Sequence, residues 1–172
     1  MKAGFIGYRN FATKLISIFR NQGVKEFVVY HPSKEASQIT TNSFDDLLDC
    51  DFVVIASPDK THVPYIKKLD KYGSYIFCEK IPAMNSEDLK YLETDPNPRL
   101  YFNFNYRHSA LAKKLLENKA DIQYFSHTYG IGLALMENYS SNWRSDKSKA
   151  PLGVFQLSGI HILDILTYCL GE

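Results

Sequence analysis

The chain has 172 residues, a length that fits one domain and the start of a second. Hydrophobic residues make up 45% of it and charged residues 23%, and 20 Lys and Arg residues against 19 Asp and Glu residues leave a net charge of +1. This balance excludes a charge field that would attract nucleic acid or an anionic membrane surface.

Strand-like and helix-like patterns alternate through the first part of the chain. We predict strands at residues 3–7, 26–30, 52–56, 74–78 and 100–104. We predict helices between them at residues 11–19, 43–46, 63–69 and 85–93. This order requires a parallel sheet with helices on both faces, which is a Rossmann-type α/β fold.

The pattern changes after about residue 105. A helix is predicted at 109–118, one long strand or a hairpin at 121–135, and a helix at 157–170. We therefore place a domain boundary after Arg107, with a dinucleotide-binding domain at 1–107 and a partial second domain, of α+β type, at 108–172.

The turn after the first predicted strand has the form of a phosphate-binding loop. It consists of Gly7, Tyr8, Arg9, Asn10, Phe11 and Ala12. Aligned with G-x-G-x-x-G/A, Gly7 fills the first position and Ala12 the third, whereas Arg9 replaces the glycine that lets backbone approach a pyrophosphate. Either the Arg9 Cβ holds the cofactor further out or its guanidinium binds a phosphate. An ordinary strand-to-helix turn is the remaining interpretation.

The second predicted strand lacks the acidic residue that commonly binds the ribose 2′-hydroxyl of NAD. Tyr30 and His31 stand at its end, followed by Ser33 and Lys34. No carboxylate at this point repels a 2′-phosphate, and His31, Ser33 and Lys34 can each donate a hydrogen bond to one. This favours NADP over NAD, and a solvated polar turn is the alternative.

Two longer stretches carry a family resemblance. The first contains Ser57-Pro58, His62 and Cys78-Glu79-Lys80-Ile81-Pro82; the second contains Asn105-Tyr106-Arg107, Trp143-Arg144 and Gly159-x-His161-x-x-Asp164. In order and spacing the chain resembles the glucose–fructose oxidoreductase / inositol dehydrogenase (Gfo/Idh/MocA) family of NAD(P)-dependent oxidoreductases. Members of that family are longer, and their second domain is an open antiparallel sheet. The resemblance implies a truncated member that lacks most of this sheet.

The resemblance also implies a reaction. The expected activity is hydride transfer between NAD(P) and a hydroxyl of a sugar, polyol or sugar nucleotide, with Lys80 beside that hydroxyl. His161 matches a second acid–base residue. Asp164, one turn on, either orients its ring or is a structural residue. Leu157 stands where the family often has an aspartate, and Ile81 stands where proline usually follows the lysine.

Further candidates follow from the same motifs. The expected cofactor contacts beyond the first two strands are Ser57, Pro58, His62, Glu79 and Lys80. The expected substrate-pocket residues are Tyr106, Arg107, Trp143, Arg144 and Asp164, with packing between the domains as the alternative for Trp143. The partner is a sugar-like small molecule, and the strand edge at 121–135 predicts a homo-oligomer. A non-catalytic dinucleotide-binding protein, sensor or remnant is the alternative, which Arg9 and Leu157 favour.

The cysteines bear on compartment and metal binding. Cys50, Cys78 and Cys169 have no metal-ligand spacing, and each lies in an apolar stretch. Reduced core thiols fit a reducing compartment. Polar residues, among them Asp164, interrupt the apolar stretch at 154–170, which is unfavourable for a membrane span. We therefore expect a cytoplasmic protein with no metal site.

Overall fold

The structure is a computed structural model that describes residues 1–94, 96–128, 130, 132 and 135–171. The chain forms two compact units, Met1–Asn103 and Phe104–Glu172. This division falls slightly before the boundary that the sequence predicts after Arg107. Glu172, the last residue of the predicted second domain, lies outside the described residues.

The first unit is a parallel sheet with helices packed on it. Its strands are β1 (Lys2–Ile6), β2 (Glu26–Tyr30), β3 (Thr40–Thr41), β4 (Phe52–Ile55), β5 (Tyr75–Cys78) and β6 (Leu100–Phe102), and its helices are α1 (Asn10–Asn21), α2 (His62–Leu69) and α3 (Ser86–Thr94). The strand order is β3-β2-β1-β4-β5-β6, with every neighbouring pair parallel. This is the Rossmann order, whose direction reverses between β1 and β4, so the predicted fold is confirmed.

The apolar runs of the sequence explain why β1 and β4 are central. A strand covered on both faces needs continuous rather than alternating apolar residues, and Phe52–Ile55 is buried throughout. One core, which includes Phe5 and Ile16, lies under α1. A second core, which includes Ile55 and Ile66, lies on the opposite face under α2 and α3.

The edge of the sheet differs from the prediction. Thr40–Thr41 pairs with the end of β2 and forms β3, which two residues cannot signal by periodicity. The predicted helix at 43–46 is a 3₁₀ turn, Phe44–Leu47. Leu47 anchors this turn because its side chain is fully buried.

The second unit contains helices α4 (Ala110–Glu117) and α5 (Ile160–Leu170), and a π-helical turn, Phe155–Gly159, leads into α5. The Ser109 side chain caps α4 by accepting from the Ala112 N–H. A small core holds the two helices together, and it includes Ala112, Leu115, Ile165 and Cys169.

The predicted strand or hairpin at 121–135 is wrong for the part that the structure describes. Residues 122–128, 130 and 132 form no strand, and residues 129, 131, 133 and 134 lie outside the described part. A strand needs a pairing partner, and the described residues of this unit include none. Ile122 and Phe125 instead pack against the core of the unit. The expected homo-oligomer loses this basis and stays a prediction.

The described residues were compared with the expectations for membrane spans, metal sites and thiols. Among them, no helix combines the length and apolar content of a membrane span, and no His, Cys, Asp and Glu side chains cluster as metal ligands do. Cys50, Cys78 and Cys169 are buried free thiols. Burial raises the pKa of the Cys50 and Cys78 thiols.

Candidate dinucleotide and acid–base site

Gly7 ends β1 at the point where the strand order reverses. Its φ of 97° is a conformation that favours glycine. Its N–H donates to the Tyr30 carbonyl at 3.1 Å. A Cβ on Gly7 would lie 2.8 Å from the Ala56 carbonyl oxygen. Glycine therefore lets this turn sit tightly between the ends of β2 and β4.

Arg9 takes the place of the second glycine without backbone strain. Its φ of −118° and ψ of −178° are extended backbone, and it is the N-cap of α1. Its side chain is exposed, as are those of Asn10 and Phe11. Ala12 is buried in the core, as the packing position of the motif requires. The guanidinium of Arg9 therefore projects from a helix N-terminus, a place that favours anions.

The turn after β2 gathers positive charge. The Ser33 N–H donates to His31 Nδ1 at 3.3 Å, and Lys34 Nζ lies 4.7 Å from the centre of the Tyr8 ring. Partial burial and the charges of Lys34 and Arg9 lower the pKa of His31. The side-chain amide of Asn42 donates to the carbonyls of His31 and Lys34, each at 2.7 Å. The turn is thus held in shape while cationic groups converge on it.

The loop after β4 is braced by hydroxyl groups. Ser57 Oγ and Thr61 Oγ1 are 2.7 Å apart, and Thr61 Oγ1 donates to the Pro58 carbonyl at 2.7 Å. A 3₁₀ turn, Asp59–Thr61, then leads into α2. Ser57 is half-buried and Pro58 is exposed. Both follow the carboxyl end of β4, and the Ser57 Cα would lie 3.2 Å from a Cβ on Gly7.

His62 is buried, whereas a residue that contacts a cofactor should be accessible. Its side chain is 0% exposed. Nδ1 lies 2.9 Å from the Ile81 carbonyl oxygen and Nε2 lies 3.0 Å from the Ser57 carbonyl oxygen. The expected direct contact with a cofactor is therefore not supported. The sequence held a signal for this burial, because Ile66 and Leu69 follow His62 at the spacing of one helix face.

Lys80 lies between two anchored neighbours. The Glu79 N–H donates to the Ile55 carbonyl at 2.9 Å, and Asn103 Nδ2 donates to Glu79 Oε1 at 2.5 Å. Ile81 is buried, with 4% exposure. Burial raises the pKa of Glu79, against the opposing effects of the Asn103 hydrogen bond and the Lys80 charge. Lys80 itself is half-buried, and sequence reasoning missed Asn103 as a partner of this loop.

Tyr106 and His161 meet in the second unit. Their ring centres are 4.8 Å apart and the ring planes differ by 18°, so the rings stack. Arg107 donates to both carboxylate oxygens of Asp164 and holds that carboxylate. Asp164 thus pairs with Arg107, and its expected role in orienting His161 stays a prediction.

The side chains of Trp143 and Arg144 contact each other. They begin a 3₁₀ turn, Trp143–Ser145, in which Asn142 Oδ1 accepts from the Arg144 N–H at 3.1 Å. The Arg144 guanidinium lies 4.7 Å from the centre of the Trp143 ring. Both side chains are half-buried, and their expected place at a substrate pocket stays a prediction.

Comparison with known proteins decides the family. A family model described as an oxidoreductase family with an NAD-binding Rossmann fold, GFO_IDH_MocA, matches residues 1–94. The chain belongs to the Gfo/Idh/MocA family. The family resemblance of the sequence motifs is thereby confirmed.

Named members of the Gfo/Idh/MocA family align with much of this chain. The levoglucosan dehydrogenase of Pseudarthrobacter phenanthrenivorans is 32% identical over 146 residues, which cover 80% of this chain and 37% of that protein. The inositol 2-dehydrogenase of Rhizobium meliloti is 27% identical over 143 residues, which cover 77% of this chain and 40% of that protein. The chain thus spans well under half the length of these relatives.

A solved Gfo/Idh/MocA structure has the same fold over the whole chain. A levoglucosan dehydrogenase in complex with NADH and levoglucosan superposes with a TM-score of 0.76 at 23% identity, covering 100% of this chain and 54% of that one. Most first-unit candidates lie where β1, β2, β4 and β5 end, whereas Ala12 and His62 are buried in α1 and α2. Four of the second-unit candidates form the Tyr106–His161 and Arg107–Asp164 pairs.

Proposed function

We propose that the first unit binds a nicotinamide dinucleotide along the carboxyl ends of β1, β2, β4 and β5. The observation that carries this proposal is the turn at Gly7, where a positive φ and close contact with Ala56 coincide with the reversal of strand order. Ligands of open parallel sheets bind at such a reversal. The family membership supports the same assignment.

The residues around the turn fit such a cofactor. The N-terminus of α1 and the Arg9 guanidinium suit a pyrophosphate. His31, Ser33 and Lys34 suit a 2′-phosphate, because the turn carries the Lys34 ammonium, the Ser33 hydroxyl and an imidazole that can take up a proton when the phosphate binds. We therefore propose that NADP binds more tightly than NAD. The preference for NADP rests on the residues of this chain, whereas the solved levoglucosan dehydrogenase holds NADH.

We further propose that the chain belongs to an enzyme that oxidises or reduces a hydroxyl-bearing carbon of a sugar, polyol or sugar nucleotide. When bound, the nicotinamide ring supplies a hydride acceptor or donor. Lys80 Nζ accepts the proton of the substrate hydroxyl or returns it. His161, held by Tyr106, is the acid–base candidate of the second unit. The relatives named for levoglucosan and inositol support this substrate class.

Calorimetric titration of the folded protein with NAD and NADP tests the binding proposal. Heat of binding is expected from both, with the lower dissociation constant for NADP. No heat from either would overturn it, and tighter binding of NAD would overturn only the assignment of His31, Ser33 and Lys34. Absorbance at the wavelength of the reduced cofactor, with levoglucosan and myo-inositol as first substrates, tests turnover. Binding without turnover on a broad polyol panel would favour the non-catalytic alternative.

A further inference from the structure

We propose that His62 is a positioning residue for Lys80, because it ties the Lys80 loop to the end of β4. This inference rests on the proposed function, in which Lys80 Nζ handles a proton. β4 and β5 are adjacent, with Ile55 paired to Cys78 at their ends. The imidazole of His62 spans the two loops that leave these ends, from the Ser57 carbonyl at 3.0 Å to the Ile81 carbonyl at 2.9 Å.

Lys80 is the one residue between two fixed points. On one side, Glu79 is held by its backbone bond to Ile55 and by the Asn103 amide. On the other side, Ile81 is held by its buried side chain and by His62. Fixing the backbone at both neighbours limits the volume that Lys80 Nζ can sample. A displacement of about 1 Å at a reacting group can cost about 10²-fold in rate.

We call the His62 ring with its contacts to the Ser57 and Ile81 carbonyls the imidazole bridge. The Ser57 end of this bridge is also held by hydrogen bonds. Ser57 and Thr61 bond through their hydroxyls, and Thr61 bonds back to Pro58. Both ring nitrogens of His62 face carbonyl oxygens, which only accept hydrogen bonds. A neutral imidazole carries one N–H, so the ring donates to one of these two carbonyls at a time and to both only when it is protonated. Its complete burial separates it from a substrate, so its role is to position rather than to react.

The test uses two variants of His62 and one control variant in the same helix. His62→Phe keeps a ring of similar shape but has no donor. His62→Gln keeps one amide that can reach one of the two carbonyls. Ile66→Val is the control, because Ile66 lies on the same buried face of α2 and the loss of a methyl group there disturbs packing without touching either carbonyl.

The first readout needs no cofactor. Each folded protein is labelled with limiting acetic anhydride, and mass spectrometry compares the acetylation rate of Lys80 with those of the other lysines. The Lys80 rate is expected to change in His62→Phe, to change less in His62→Gln, and to stay at the wild-type value in Ile66→Val. The second readout is steady-state kinetics, where turnover falls by up to about 10²-fold in His62→Phe while dinucleotide affinity is nearly unchanged.

The outcomes separate this inference from the proposed function. An unchanged Lys80 acetylation rate in folded His62→Phe and His62→Gln would overturn the positioning role, whatever the protein catalyses. Failure of both His62 variants to fold while Ile66→Val folds would also overturn it, because His62 would then serve the fold alone. Absence of dinucleotide binding in the wild type would defeat the proposed function but leave the labelling result to decide the imidazole bridge.

Discussion

Arg107 and Asp164 form a two-pronged ion pair with unequal burial. Arg107 Nε lies 3.1 and 2.9 Å from the two carboxylate oxygens, and Nη2 lies 2.5 Å from Oδ1. The Asp164 side chain is 7% exposed and the Arg107 side chain 40%. We expect Arg107→Ala to destabilise the second unit by about 2–3 kcal/mol, because it leaves a buried carboxylate without its cation. Asp164→Asn should cost about 1 kcal/mol, since water can reach the guanidinium.

Hydrogen exchange of the α5 amides, followed by mass spectrometry, measures both losses. The double variant should recover most of the stability lost in Arg107→Ala, because the unpaired charge is then gone. Lys147→Ala, an exposed charge change in the same unit, is the control. Equal losses in the two single variants would show that unequal burial does not matter for this pair.

Gly7→Ala tests the phosphate turn. A left-handed backbone costs a residue with a Cβ about 1–2 kcal/mol, and the new Cβ would also press on the Ala56 carbonyl. Gly23→Ala is a matched control, because Gly23 has a φ of 93° but its Cβ would meet nothing within 4 Å. Both variants should lose thermal stability, and Gly7→Ala should lose more. Calorimetry should show weakened dinucleotide binding for Gly7→Ala only; equal binding in both would separate this turn from the cofactor.

His31 predicts a pH-dependent cofactor preference. Its lowered pKa means that the folded protein favours the neutral ring, so without ligand its contribution to stability is lost as the pH falls below its ordinary pKa of about 6.5. A bound 2′-phosphate favours the protonated ring. The ratio of NADP to NAD affinity should therefore rise as the pH falls from about 8 to about 6.5, still above the second phosphate pKa of about 6.

His31→Gln should flatten that pH dependence in calorimetric titrations, because glutamine does not titrate. His108→Gln, which alters an exposed histidine of the second unit, should leave it unchanged. A ratio that varies with pH in the same way in His31→Gln would point to another group.

Glu79→Gln should stabilise the protein at neutral pH. Because burial raises the pKa of Glu79, the folded state binds more protons than the unfolded state, and stability falls as the pH rises from about 4.3 through the raised value. Glutamine keeps the oxygen that accepts from Asn103 and removes the charge. The difference in Tm between variant and wild type should grow from pH 4 upward and then level off.

Glu93→Gln removes a carboxylate at an exposed position of α3 and is the control for this series. A Glu79→Gln protein less stable than wild type at pH 8 would mean that attraction to Lys80 outweighs the burial of the carboxylate.

Lys80→Met tests the proposed acid–base role. Positioned acid–base groups contribute about 10²- to 10⁴-fold in rate, so turnover should fall within this range while dinucleotide affinity stays nearly intact. His161→Ala should cost less, because Leu157 replaces the family's aspartate. Lys71→Met, an exposed lysine after α2, should be silent in steady-state assays. Unchanged turnover in Lys80→Met would remove Lys80 from the mechanism.

Most of the secondary structure of the first unit could be predicted from the sequence, but little of that of the second unit could. Unbroken apolar runs such as Phe52–Ile55 identify strands buried on both faces, so the sheet followed directly. β3 was not predictable, since Thr40–Thr41 is ordered by pairing with β2 rather than by its own pattern. The strand or hairpin predicted at 121–135 is wrong for the described residues of that range, because a sequence pattern states a preference whereas the hydrogen bonds of a ladder need a partner.

The site shows the same division. Motif spacing identified residue types at the strand ends, including Gly7 and Lys80. It did not give side-chain direction, so it indicated neither the burial of His62 nor the pairing of Asp164 with Arg107. The contacts of His62 with the Ile81 carbonyl and of Asp164 with the Arg107 guanidinium join segments distant in sequence.

The buried thiols have a practical consequence for experiments on this protein. Cys50, Cys78 and Cys169 are all enclosed, and only a thiolate reacts quickly with alkylating reagents. A single cysteine introduced on the exposed turn after β2, at Ser33, would therefore react far ahead of the native three. The wild-type background is thus already suited to attaching a fluorophore or spin label, and ligand arrival could be followed in real time without first deleting any native residue.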